Sequence, residues 1–361
     1  MAAITYKCPN CGGGLIFEPE TQKYKCEYCL SRFMQADLKG QAFGENGGET
    51  AETGEEEAAL ADGGYSAAGE AAVYSCPSCG AEVATDPTTA ATFCYYCHNP
   101  VILSGRLRGE YLPDCVVPFS IDRKRAEGMF REWIGKKKYV PKDFYSPGQI
   151  EKLTGVYFPY WLFRCRIDGK LRAQGTKIRS WTTGNMRYTE RKTYQVERQG
   201  MVKINYVARN AIHKADSRLC EGVLPYPKEG IKPFSMGCLS GFVAQKRDRR
   251  KEEFIPEVYQ EVKDFALVKL KESAGGYSEL KVSQQIADVE DARWDYGLFP
   301  VWTLTYKGPK DGKMYYFAMN GQTGKICGEL PVDGGKLFGL FMCIFLPVLL
   351  VLLGVGYFLP L

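Results

Sequence analysis

From residue 337 to residue 361 the chain reads LFGLFMCIFLPVLLVLLGVGYFLPL, 25 positions without one charge. As a helix at ~1.5 Å per residue this stretch reaches about 37 Å, enough to cross a hydrocarbon core of about 30 Å with some tilt. A soluble core helix of that length would show a polar face, and this one has none. The pattern predicts a membrane-spanning segment over 337–361, with Pro347 and Gly354 leaving open a single kinked helix or a re-entrant hairpin. Upstream, Asp122 stands as the N-cap of RKRAEGMFREWIGKKK. There Ala126, Met129, Phe130, Trp133 and Ile134 recur on one helical face, and Arg123, Lys124, Arg125, Arg131 and Lys136 to Lys138 crowd the other. A second helix is expected from about Pro256 through EVYQEVKDFALVKLKE, with Val258, Val262, Phe265 and Ala266 turned inward.

Between these helices the period changes to that of strands. In FPYWLFRCRIDGKLRAQG, residues 158–175, a three-residue loop Asp168-Gly169-Lys170 places Cys165, Ile167, Leu171 and Ala173 on one face and Arg164, Arg166 and Arg172 on the other. A two-residue loop would mix them, so a hairpin turning at 168–170 is expected. RYTERKTYQVERQGMVKINYVA reads as further strands, and so does KMYYFAMNGQTGKICG, which turns at Asn320-Gly321. A faint repeat links FPYW at 158–161 with FPVW at 299–302 and suggests two related halves. The expected fold class is α+β: a mixed α+β domain with antiparallel sheets over 110–332, ahead of the apolar C-terminal segment.

Composition changes this picture in one place. Residues 40–72 hold eight acidic residues and no Lys or Arg, with Gly and Ala filling most of the rest, so the stretch buries too little apolar surface to fold. It reads as a disordered acidic linker. The chain's formal charge is +5 at pH 7, and the remainder without the linker is more basic still. With the basic residues lying before the apolar segment, the positive-inside rule puts the bulk of the protein in the cytoplasm.

The cysteines carry the strongest chemical signal. Cys8 and Cys11 in YKCPNCG are followed, after 14 intervening residues, by Cys26 and Cys29 in CEYC, and Cys76 and Cys79 in YSCPSCG by Cys94 and Cys97 in CYYC after the same number. Two thiols separated by two residues bind one metal ion from a tight turn, and two such turns complete a tetrahedron of four sulfurs, the closed geometry of structural zinc. Two zinc ribbons are therefore expected, over 1–39 and 73–105, each with one structural Zn²⁺. A module of about 30 residues is too small to hold itself by apolar burial, so metal would supply most of its folding free energy. A disulfide framework is disfavoured because MAAITYKCPN lacks the apolar core of a secretory signal. Haem at CYYCH would strand Cys76 and Cys79. His98 reads as a surface residue after the last ligand, with substitution for Cys97 as the alternative. Cys115, Cys165, Cys220, Cys238 and Cys327 read as core thiols, and His213 as structural or exposed.

Motifs for catalysis are missing. Gly324-Lys325, Gly169-Lys170 and Gly335-Lys336 are followed by Ile326, Leu171 and Leu337, so no phosphate-cradling loop is offered, and neither G-x-S-x-G nor H-E-x-x-H occurs. A non-enzyme is expected.

YKCPNCG with CEYC, VVPFSID, GVYFPYWLFRCRIDG, KPFSMGCLSGFVA and YYFAMNGQTGKICGELPVD before an apolar tail resemble the bacterial membrane-anchored zinc-ribbon proteins of Gram-positive species. Those proteins are often labelled primosomal-helicase-like or transcription-factor-IIB-type. The resemblance covers nearly the whole chain except the acidic linker. It implies a scaffold of membrane-stress response whose partners are SPFH/flotillin-like, TPM-domain or phage-shock-type proteins. The function expected is then a membrane-anchored cytoplasmic adaptor in contact with lipid, its two ribbons on a flexible tether so that weak contacts at each sum to firm recruitment. The alternative is a membrane-tethered nucleic-acid binder linked to replication or transcription, with KRDRRK at 246–251 as its basic cluster.

Overall fold

Each cysteine pair sits on a tight turn between short strands. In the computed structural model, which describes residues 3–38, 42–43, 72–213, 215, 217–308 and 312–358, β1 (Thr5–Tyr6) precedes a three-stranded antiparallel sheet of β2 (Leu15–Glu18), β3 (Lys23–Cys26) and β4 (Arg32–Phe33). The short strand β5 (Ala42–Phe43) pairs back on β1. The second unit has two hairpins, β6 (Ala72–Ser75) with β7 (Glu82–Thr85) and β8 (Thr89–Phe93) with β9 (Pro100–Ile102). The acidic linker expected over 40–72 lies outside the described residues apart from Ala42, Phe43 and Ala72.

After β10 (Cys115–Val116) come α1 (Arg123–Gly135), α2 (Pro147–Ile150) and two long strands, β11 (Thr154–Thr183) and β12 (Met186–Asn210). The chain continues through α3 (Ser217–Gly222), β13 (Lys232–Pro233), β14 (Val243–Gln245), α4 (Ile255–Ser273) and β15 (Glu279–Lys307). It ends with β16 (Met314–Asn320), β17 (Ile326–Gly328) and α5 (Gly334–Phe358). Ten of the described strands form one mixed sheet, antiparallel except where β10 runs parallel to β15 and β14 parallel to β11. The helix expected after Asp122 forms but ends at Gly135, short of Lys136 to Lys138, and Met129 and Trp133 of its expected inner face are half-buried. The Asp122 carboxylate accepts from the Arg125 amide at 2.8 Å, and Ala126, Phe130 and Ile134 are buried.

The hairpin expected at 168–170 does not form. Strand β11 runs straight through Asp168-Gly169-Lys170 and turns only at Gly184-Asn185. Cys165, Ile167, Leu171 and Ala173 still share one buried face, because an unbroken strand keeps odd positions together. Gly169 serves packing here. A Cβ on it would lie 2.6 Å from Leu270 Cδ1, so the missing side chain is what lets α4 seat its last turn on the strand. The inward face of α4 is Val258, Val262, Ala266 and Leu270. Phe265, expected among them, is 46% exposed because it stands one position off that four-residue stripe.

FPYW and FPVW meet at the centre of the sheet, where Phe158 pairs with Phe299. The same bonds recur around each. The Pro159 and Pro300 carbonyls accept from the amides of Ala211 and Gly321 at 2.9 and 2.8 Å. The Ala211 carbonyl accepts from Asp248 and Arg249, and the Gly321 carbonyl from Ser120 and Ile121. Trp161 and Trp302 each donate an indole N–H at 3.1 Å, to the carbonyls of Arg249 and Ile121. Each FPxW strand is thus tied to a loop that leads into a helix: FPYW to the loop before α4, which covers β11 and β12, and FPVW to the loop before α1, whose Phe130 and Trp133 pack on Phe317 of β16.

Both cysteine units are built into this body. β8 pairs with β14, which makes the second unit an edge of the large sheet. The first is joined to the second by the Ile4–Ile102 bridge and to the body by the Phe17 amide on the Ser240 carbonyl at 3.0 Å. Tyr24 of β3 lies against Gly237 so closely that a Cβ there would collide with its hydroxyl. At the other end of the chain Asp333 caps α5 through the amides of Gly335 and Lys336, and its own amide bonds to the Tyr139 carbonyl at 2.7 Å. Helix α5 is long and apolar enough to cross a bilayer and carries its apolar side chains outward.

Candidate metal centres

The eight cysteines of the doubled motif gather into two groups of four. In the first, Cys8 Sγ lies 3.5 Å from Cys29 Sγ, and Cys11 Sγ lies 3.4 Å from Cys26 Sγ. In the second, Cys76–Cys97 and Cys79–Cys94 are each 3.7 Å apart. All four sulfurs of each group fall within 4.8 Å of one another, so each group could hold a metal ion, and every cysteine is a free thiol. A regular tetrahedron with metal–sulfur bonds of about 2.3 Å has edges of about 3.8 Å, close to the observed separations. A disulfide at about 2.05 Å is far shorter. The donor set and its spacing fit a four-thiolate ion, held by Cys8, Cys11, Cys26 and Cys29 in one unit and by Cys76, Cys79, Cys94 and Cys97 in the other.

Each of the four turns closes in the same way. The amide of the residue after the second cysteine donates to the carbonyl of the first: Gly12 to Cys8 at 2.8 Å, Leu30 to Cys26 at 3.1 Å, Gly80 to Cys76 at 2.9 Å and His98 to Cys94 at 2.9 Å. That residue is left-handed in every case, with φ of 73°, 60°, 74° and 56°. Glycine takes this conformation without cost, which accounts for the two Cys-x-x-Cys-Gly turns. His98 occupies the same backbone position in CYYCH and stands outside the sulfur cluster. Leu30, a residue that ordinarily avoids this region, holds it in the first unit.

Thiols packed this closely titrate as a group. The Ser31 hydroxyl and amide draw Cys29 down to about 6. Cys11 is favoured as thiolate by the Gly13 amide, yet the crowding sulfurs of Cys26, Cys29 and Cys8 hold it up at about 12. Burial pushes Cys94 up, but the amides of Cys97 and Tyr96 outweigh it and leave it at about 7. Cys97 is driven to about 12 by burial and by its sulfur neighbours. A divalent cation at the centre removes this mutual repulsion, which is the electrostatic reason such a group takes up metal.

Other candidates fall elsewhere. Cys165, Cys220 and Cys238 are buried and Cys115 and Cys327 half-buried in the body. His213 is exposed at the rim of an apolar cleft of about 610 Å³. The KRDRRK cluster is partly used internally. The Arg247 guanidinium sits 4.9 Å from the rings of Tyr111 and Trp161 and 5.6 Å from that of Tyr296, Lys246 lies 4.8 Å over Tyr111, and Arg249 pairs with Glu253 at 3.1 Å. The periodicity gave no sign of two exposed apolar groups beside the metal turns: Tyr28, Leu30 and Met34 on the first unit, and Tyr95 and Tyr96 on the second, each more than half exposed. Their signal in the sequence is their place inside and just after the Cys-x-x-Cys turns, where no core is available.

No family model matches the chain, and no solved structure matches it. The chain is similar to the uncharacterized protein YdjG of Bacillus subtilis (strain 168), with 30% identity over 338 residues that span 94% of this chain and 93% of the relative. The chain belongs to the family of YdjG.

Proposed function

We propose that this protein is a membrane-anchored, non-catalytic adaptor that holds two structural zinc ribbons at the cytoplasmic face of a bilayer and uses them to recruit soluble protein partners. The carrying observation is Leu30. A left-handed leucine costs roughly 1–2 kcal/mol, and this one gains no compensating burial, being 64% exposed. Strain retained at an exposed apolar residue points to a contact outside the chain, and Tyr28 and Met34 stand exposed on the same ribbon. Zinc is the ion that four thiolates in a closed tetrahedron suit best, and such a site has no open position for chemistry.

The anchor is α5. Its base is tied to the segment after α1, where the Lys336 ammonium donates to the Val140 carbonyl at 2.7 Å. Lys136, Lys137 and Lys138 immediately precede that segment, and Lys142 shares a cleft with Lys336. This basic collar at the start of an apolar helix supports a cytoplasmic body, each lysine near an anionic leaflet contributing about 1 kcal/mol. Because both ribbons are bonded to the body, recruitment rests on fixed surfaces at a set position above the bilayer. That replaces the tethered pair expected from the sequence.

Purification of the full chain from nuclease-treated native membranes tests the reading, with wild type beside a Tyr28→Ser/Leu30→Gly variant that keeps all eight cysteines. We expect SPFH/flotillin-like, TPM-domain or phage-shock-type proteins to co-purify with wild type and to be lost from the variant while metal content is unchanged. An identical set of partners in both refutes the docking surface. Partners that disappear from wild type on nuclease treatment alone favour the nucleic-acid alternative.

A further inference from the structure

The long strands leave the body as an arm. From Phe158, at the centre of the sheet, to Thr183 is ~80 Å of extended strand at about 3.3 Å per residue. Beyond Thr176 the β15 partner has ended, and β11 and β12 continue alone as a two-stranded ribbon to the Gly184-Asn185 turn. The base of α5 is at the opposite end of the sheet, where Tyr306, at the far end of β15, lines one cleft with Asp333 and Lys336.

The tip of this arm has an ordered chemistry. Its last cross-strand pairs on one face are Thr183–Met186 and Trp181–Tyr188, with the Trp181 and Tyr188 rings stacked at 5.7 Å and 16°. Met186 is 62% exposed, Trp181 44% and Tyr188 42%, although none of them has a core to join. One and two pairs further back on that face come Arg179–Glu190 and Lys177–Lys192. Arg179 lies 5.9 Å over the Trp181 ring, and Lys177 lies 5.6 and 5.4 Å over Tyr194 and Tyr277. With Arg187 and Arg191 on the other face, residues 176–194 carry five cations against one acid, Glu190, which pairs with Lys192 at 3.1 Å.

We propose that this tip is a second membrane contact, a wedge that enters the interface of an anionic lipid bilayer. The spacing of its layers matches that interface. Two residues along a strand are about 6.6 Å, and the headgroup layer is about 5–7 Å thick, so Trp181 and Tyr188 at the acyl boundary place Arg179 at the phosphates. Tryptophan and tyrosine favour that boundary, and lysine and arginine reach back from it. A ribbon built for a nucleic-acid groove would instead carry cations on both faces of its outermost pairs; here Arg187, opposite Thr182, is the one cation nearer the turn than the aromatic pair, and its long side chain can reach back to the phosphates. The contact is made either with the bilayer that holds α5, if the arm lies along it, or with a facing one.

Tryptophan quenching by brominated lipid reads the contact directly. Trp181 is the exposed one of five tryptophans, so the quenching lost in Trp181→Phe reports the tip. The full chain is reconstituted either in brominated phosphatidylcholine containing phosphatidylglycerol, or in unbrominated phosphatidylcholine discs mixed with brominated anionic vesicles. We expect quenching of Trp181 in one of the two arrangements, dependent on phosphatidylglycerol. Binding should weaken about fivefold for each of Lys177→Gln, Arg179→Gln and Lys192→Gln. These residues are exposed, so metal content and melting temperature should hold and show that the variants are folded. Absence of Trp181 quenching in both arrangements overturns the proposal. Capture of the discs by duplex DNA, weakened by the same substitutions and without quenching, overturns it in favour of nucleic acid.

Discussion

At the scale of single residues, the metal turns separate what a position needs from what it happens to hold. All four turns require a left-handed residue after the second cysteine, and two of them use glycine. His98→Gly should therefore leave both metal ions bound and raise stability by about 1 kcal/mol, read from the melting of the metal-loaded protein. A loss of metal in that variant would mean that the imidazole is a ligand after all. Cys94→Ser/Cys97→Ser should reduce bound metal from two ions per chain to one, counted by elemental analysis of the purified protein. The two groups of four cysteines were legible in the sequence because the spacing is itself the chemistry: two residues between thiols is what one ion can bridge. The conformation of Leu30 was not, since nothing in a leucine announces a left-handed backbone. Only comparing its place with those of Gly12, Gly80 and His98 exposes it.

Elements were legible where one physical signal dominated. Asp122 capping α1 and the apolar stripe of that helix agree, and the helix forms. In β11 two signals competed. Strict alternation from Cys165 to Ala173 called for one strand, while Asp168-Gly169 looked like a turn, and the alternation prevailed because α4 lies across that face. What the sequence could not show is that Gly169 is a socket for a side chain 101 positions later, Leu270. Gly169→Val should accordingly cost about 1–3 kcal/mol, as overpacking does. Hydrogen exchange should show the loss concentrated in the last turns of α4, with bound metal unchanged. Phe265→Ser, on the same helix but off its buried stripe, should change stability by less than about 0.5 kcal/mol.

The whole molecule departs most from what its parts suggest. Four-cysteine units of this size usually read as separate beads, and an acidic stretch between two of them reads as a string. Here β8 extends the main sheet, the Lys246 amide donates to the Thr88 carbonyl at 2.8 Å, and the Arg247 guanidinium reaches the Glu110 carbonyl at 2.7 Å from within its cage of aromatic rings. Tyr24 of the first unit fills the space above Gly237. None of these contacts has a local sequence signal, because each joins residues far apart in the chain whose own neighbours are satisfied either way. They make a thermodynamic prediction that beads on a string cannot share. If metal folds the units and the units complete the sheet, then withdrawing metal destabilises the body as well. A chelator should lower the single melting transition of the full chain by at least about 5 °C, a loss of 1 kcal/mol being about 2–4 °C for a body of this size. Gly237→Val should reproduce part of that shift with both ions still bound, by pushing the first unit off its seat. A body transition that stays in place when metal is removed would show instead that the units fold and unfold by themselves, and that the contacts at β8 and Gly237 add little to its stability.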